Sequence, residues 1–176
     1  MNFIKTFLSS LLIYLGLNLV FALIIVYSSP LASVPDAPIL IISFMFGPIT
    51  TSPAVAWVDQ GIIALIQTTD PLLDVMMFLY YVVPPILTVI ISGTIADSTT
   101  IAFMSWLLTA LVCIAVYAII IGVFGSNPTS TLYFLVYIYL VYYYGPTDLY
   151  IAMILFGILN LFLYGCVSFL VTRKKL

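Results

Sequence analysis

From Thr6 to Thr172 the chain contains no lysine, arginine or histidine. Its four cationic residues are Lys5, Arg173, Lys174 and Lys175, so every positive side chain sits at one chain end or the other. A water-soluble fold spreads charge over its whole surface, at roughly 25% of residues. Here 6% of the 176 residues are charged and 65% are hydrophobic. So little charge cannot cover a surface that faces water. Hydrocarbon is the solvent in which apolar side chains face outwards without penalty. The expectation is an all-α fold: a polytopic transmembrane bundle, one domain over residues 1–176, multi-pass in the cell membrane with the lipid bilayer as its first partner.

Each helical crossing needs about 20 apolar residues. Six crossings joined by short loops would use nearly the whole chain and leave no room for a soluble domain. The first expected span covers about 6–27. Its apolar run from Phe7 to Tyr27 exceeds the 7–15 residues of a secretory signal, so it reads as a retained helix. The second stretch, 37–69, is too long for one straight crossing and is broken near 47–53. Gly47-Pro48 interrupts it, and Ser52-Pro53 reads as a fresh helix start. This stretch is either one kinked crossing or two half-helices; the reading adopted is the kinked crossing. The third span, 72–95, carries Pro84-Pro85 at its middle and is expected to bend there, where neighbouring helices can satisfy the freed carbonyls. The remaining spans are expected at 101–124, 130–144 and 148–171. The fifth is short, at about 22 Å, against a core about 30 Å thick.

The positive-inside rule puts both basic ends in the cytoplasm, which requires an even number of crossings. Six crossings satisfy it and place the loops carrying Asp36, Asp97 and Asp148 outside. Tyr142, Tyr143 and Tyr144 then form part of an aromatic belt at the outer interface.

What the chain lacks excludes most chemistry. It has no histidine, so imidazole-activated nucleophiles, imidazole haem ligation and most zinc sites are out of reach. Cationic residues confined to the ends leave no buried lysine for a Schiff base and no arginine clamp for phosphate. No phosphate-binding glycine loop and no zinc-protease motif is present. An intramembrane aspartyl protease needs two buried aspartates, and only Asp59 reads as lying within the bilayer. Cys113 and Cys166 sit in apolar runs without metal-ligand spacing, as small core residues do. Nucleic acid is excluded by the absence of a basic patch. The chain is therefore expected to be no enzyme and to need no metal or cofactor.

Asp59, followed by Gln60, is the residue most in need of explanation. A carboxylate in hydrocarbon costs a few kcal/mol on insertion scales and marks function by default; the plain alternative is a wet crevice or a neutral, hydrogen-bonded acid. Asn18 lies 13 residues from Lys5 (18 − 5) and Asn160 lies 13 from Arg173 (173 − 160). Both are thus about 20 Å from the basic ends. Asp59 falls about 16 Å from the inner side by the same rise, so the three share a level near the midplane. They form either a common polar site, Asn18 with Asp59, Gln60 and Asn160, or a simple asparagine bridge between helices. On the fourth span Ser105, Thr109, Cys113, Ala118 and Gly122 form a small-residue packing face, directed inside the monomer or against another subunit.

Two functions follow from these features. An accessory subunit of a larger respiratory or transport complex, packing against other membrane subunits, fits the missing catalytic groups and minimal loops. A small-solute transporter, or its substrate-binding component, fits the broken second span and short fifth span at matching places in two halves. An ion channel fits less well, for want of a charged ring or filter loop.

Overall fold

The computed structural model describes residues 3–29, 33–47, 71–124 and 149–173. All regular structure among them is helical: α1 (Phe3–Tyr27), α2 (Ala37–Phe46), α3 (Pro71–Ile95), α4 (Thr99–Phe124) and α5 (Leu149–Arg173). Four helices are long and apolar enough to cross a membrane, and α2, at 10 residues, is not.

Side-chain contacts fix the direction of each helix. Ser10 meets Thr109, while Val26 shares a core cluster with Ile120 and Ile121, so α1 and α4 run parallel. Helix α5 runs against α4: Gly157 faces Ile114, and Gly165 and Phe169 face Phe103. Ala96 to Ser98 turns α3 into α4, and Ser98 Oγ caps the new helix by accepting from the Ile101 N–H at 3.2 Å. At the same end Gly93 of α3 packs on Val171 and Thr172 of α5. The starts of α1 and α4 and the ends of α3 and α5 therefore share one face, which carries exposed Lys5 and is here termed the basic face. Tyr27, Pro71, Phe124 and Leu149 lie at the opposite face.

Helices α3 and α4 both pack on α1 and on α5, and α2 packs on α1 and α4. Helix α2 descends antiparallel to α1: Leu40 joins Val26 near the opposite face, and Met45 reaches Asn18. Ten residues at 1.5 Å each give about 15 Å, half of a hydrocarbon core about 30 Å thick. Helix α2 thus ends inside the bundle.

The distribution of side chains is that of a protein dissolved in lipid. The buried stripe of α1 runs at four-residue spacing through Thr6, Ser10, Tyr14, Asn18 and Ala22, while Ile4, Leu8, Leu12, Val20 and Ile24 face outwards. Leu12 is 69% exposed and Asn18 is fully buried. Helix α5 turns Ile154, Leu155, Ile158, Leu159, Phe162 and Leu170 outwards in the same way. In water each such side chain would forfeit about 1.5–3 kcal/mol. Half a dozen would equal the roughly 5–15 kcal/mol that holds a domain folded. This is a multi-pass membrane protein.

One expectation needs adjustment. Asp97 is exposed at the basic face and Asp36 lies at the other, so the two do not share a side. Helix α3 contains Pro84 and Pro85, both buried, and continues through them; the prolines deny an N–H to the carbonyls of Tyr80 and Tyr81. The expected span at 130–144 and the 48–70 part of the broken second span lie outside the described residues. Four of the described helices are long and apolar enough to cross a membrane, and the start of α1 and the end of α5 share a face.

Candidate functional site at the buried end of α2

A helix leaves its last carbonyls without intrahelical partners, and in hydrocarbon no water can replace them. In α2 the Gly47 N–H returns to the Ser43 carbonyl. The Phe44 carbonyl would look four residues ahead, to Pro48, which has no N–H. It accepts instead from the Tyr80 hydroxyl of α3 at 2.6 Å. The Met45 carbonyl accepts from Asn18 Nδ2 of α1 at 2.9 Å. Two neighbouring helices thus cap α2 from outside.

Aromatic rings close around this end. The Phe44 and Tyr80 centroids are 5.7 Å apart in an edge-to-face pair, and the Tyr81 ring lies 4.8 Å from that of Tyr80, tilted by 56°. Tyr14 and Tyr117 also lie within electrostatic reach of Tyr80. A methyl added at Gly47 would stand 3.3 Å from Tyr80 Oη and 3.4 Å from the Tyr117 ring. Glycine at this position lets the α2 backbone approach both rings.

Towards the basic face the interior stays polar. One turn from Asn18, the Tyr14 ring meets Trp106 edge-on at 6.0 Å, and Trp106 meets Tyr164 at 5.9 Å. Below that triad Thr109 donates to the Ser105 carbonyl at 2.9 Å, and its Oγ1 lies 3.1 Å from Ser10 Oγ. Thr88, Ser92, Ser168 and Thr172 are buried in the same half. The half next to the opposite face is closed by Val26, Leu40, Ile120 and Ile121.

Of the expected site, Asn18 and Asn160 are both buried, at 0% and 2% exposure. Asn18 sits at the end of α2. Asn160 lies on α5, one turn from Tyr164. Asp59, Gln60, Pro48 and Pro53 lie outside the described residues. The small-residue face of α4 is divided: Ser105, Thr109 and Cys113 are buried within the monomer, Ala118 is half-buried and Gly122 is exposed. Sequence reasoning did not single out Tyr80, Tyr14, Trp106 or Tyr164. The four-residue spacing of Thr6, Ser10, Tyr14 and Asn18 was a readable signal for the polar stripe of α1; nothing local marks Tyr80 as a cap.

Chemically the site offers carbonyls, amides, hydroxyls and one indole. The end of α2 carries the negative pole of its dipole, in a medium that screens it little. No group of three or more histidine, cysteine, aspartate or glutamate side chains comes together among the described residues. Comparison of the chain with protein-family models, with curated proteins and with solved structures gives no match.

Proposed function

We propose that this chain is a non-catalytic member of the small-solute transport machinery of the cell membrane, a transporter or its substrate-binding component, with both ends cytoplasmic. The observation that carries the reading is the termination of α2 inside the bundle, where Asn18 and Tyr80 hold its last carbonyls. Discontinuous helices that end near the midplane build the substrate and ion sites of many transporters, because they present main-chain groups where a continuous helix hides them. A protein that only packs against others has no use for so expensive a feature. The orientation rests on Lys5, Arg173, Lys174 and Lys175, which the positive-inside rule assigns to the cytoplasm. Asp59 and Gln60 join the proposal on sequence grounds alone, as polar residues of an apolar stretch.

The alternative, an accessory subunit of a membrane complex, drew its positive support from the small-residue face of α4. Ser105, Thr109 and Cys113 of that face are used inside the monomer, which leaves this reading with little beyond the absence of catalytic groups. Purification in mild detergent followed by native mass spectrometry separates the two. The expected result is a chain without stoichiometric protein partners that carries a small-molecule adduct, weakened in Asn18→Leu. A stoichiometric complex with other subunits and no adduct would overturn the transport reading.

A further inference from the structure

We propose that the basic face holds anionic phospholipids by their headgroups, at two places on the lipid-facing rim of the bundle. One is Lys5 on α1. The other is Arg173 at the end of α5, with Lys174 and Lys175 directly after it in sequence. Neither depends on the transport reading. Both follow from how far along its helix each cation stands and which side of the helix it takes.

Helices α1 and α5 have 25 residues each, about 37 Å of helix against a hydrocarbon core about 30 Å thick. The excess carries their end turns into the headgroup layers. Lys5 stands in the first turn of α1 and Arg173 is the last residue of α5, so both reach the headgroups of one leaflet. On α1, Leu8 and Leu12 follow Lys5 by three and seven residues (8 − 5 and 12 − 5), one and two turns along the same side. Lys5 is exposed, as are Leu8 at 48% and Leu12 at 69%. On α5, Cys166, Phe169 and Leu170 precede position 173 by seven, four and three residues (173 − 166, 173 − 169 and 173 − 170), and all three are exposed. Each cation position therefore ends a stripe whose other members face acyl chains.

Charge is also sorted between the two faces. Among the described acids, Asp36 and Asp74 lie towards the opposite face, and only Asp97 stands at the basic one. The chain's four cations belong to helix ends of the basic face or follow them directly. Lysine and arginine at this depth favour anionic over zwitterionic headgroups. Their long stems lie along apolar surface while the charge stays among the headgroups. An acidic soluble protein suits the face less well. The described loop there, Ala96 to Ser98, is a short turn between α3 and α4, and side chains on a lipid-facing rim meet headgroups first.

The test counts bound lipids. The full chain in detergent is titrated with phosphatidylglycerol or phosphatidylcholine, and stepwise binding is read by native mass spectrometry at several ammonium acetate concentrations. Phosphatidylglycerol is expected to bind more tightly, with a preference that shrinks as salt rises. Lys5→Gln combined with Arg173→Gln weakens phosphatidylglycerol binding by about 2- to 5-fold and leaves phosphatidylcholine binding unchanged. Lys5→Arg combined with Arg173→Lys keeps the preference, and so does Asp36→Asn at the opposite face. The salt series needs no variant, so poor folding of the glutamine pair does not remove the test. Equal binding of the two lipids at low salt overturns the proposal, as does a preference indifferent to salt or intact in the glutamine pair. An acidic protein held at the basic face, with no preference between the lipids, overturns it as well.

Discussion

The external capping of α2 yields a sharp prediction for Tyr80→Phe. The substitution removes one oxygen and keeps the ring, so the edge-to-face contact with Phe44 and the tilted contact with Tyr81 survive. What is lost is the 2.6 Å hydrogen bond to the Phe44 carbonyl. Interhelical hydrogen bonds in membranes are worth about 0.6 kcal/mol on average and at most about 1.7, because the separated helices find substitute partners. A buried acceptor left with none costs about 1–3 kcal/mol. The Phe44 carbonyl belongs to the second case, since Pro48 denies it the ordinary helical donor. The expected loss is therefore about 1–2 kcal/mol, a factor of roughly 5–30 in the unfolding equilibrium. Asn18→Leu is the instructive control. It orphans the Met45 carbonyl but also deletes Asn18 Oδ1, which has no partner. The two terms oppose each other at similar size, so its net effect is expected below that of Tyr80→Phe. Reversible unfolding by sodium dodecyl sulfate in bicelles measures both. Tyr80→Phe within about 0.3 kcal/mol of the unaltered chain, well under the 1–3 kcal/mol for an orphaned acceptor, would refute the reasoning. So would Asn18→Leu proving the more damaging.

Close approach of α4 and α5 supplies the next prediction. A methyl at Gly165 would stand 2.5 Å from Cε2 and 3.0 Å from Cδ2 of the Phe103 ring; Gly165→Ala is expected to cost about 1–3 kcal/mol by overpacking, with Phe103→Leu restoring most of it in the same unfolding assay. Gly157→Ala meets mainly the Cδ1 tip of Ile114 at 2.5 Å, which can rotate away, so its effect should be the smaller. The direction of the bundle is tested by Asp36→Cys and Asp97→Cys, made separately in a Cys166→Ser background. An impermeant maleimide applied to sealed, oriented vesicles should label them from opposite sides, and labelling from one side would refute the helix directions.

The helical class and the four long apolar helices were legible because both follow from composition and local runs. A chain with no cation from Thr6 to Thr172 has no other solvent available. The number of crossings was less legible, and the reason is specific. Hydropathy along 37–69 reports that the segment is apolar; it does not report whether the chain crosses or turns back. That depends on whether the break at Gly47-Pro48 can be satisfied from outside. The donors that satisfy it, Asn18 and Tyr80, lie 27 and 36 residues from their acceptors. No window on the sequence joins them. Pro84-Pro85 shows the converse: a local proline pair lies inside a helix that continues through it and packs on three neighbours. Asn18 and Asn160 were singled out by counting residues from the basic ends, and both are buried among the described helices.

The two halves of the bundle now impose opposite rules on substitution, and the difference follows from what each half buries. Next to the opposite face, the side chains of Val26, Leu40, Ile120 and Ile121 pack together with apolar neighbours such as Ile39, Phe44 and Val116. There a serine would add a polar group whose sole recourse is its own helix backbone, and it would leave a cavity besides. Next to the basic face, Ser105, Thr88 and Ser168 already lack partners, so an apolar replacement of similar size removes a penalty instead of creating one.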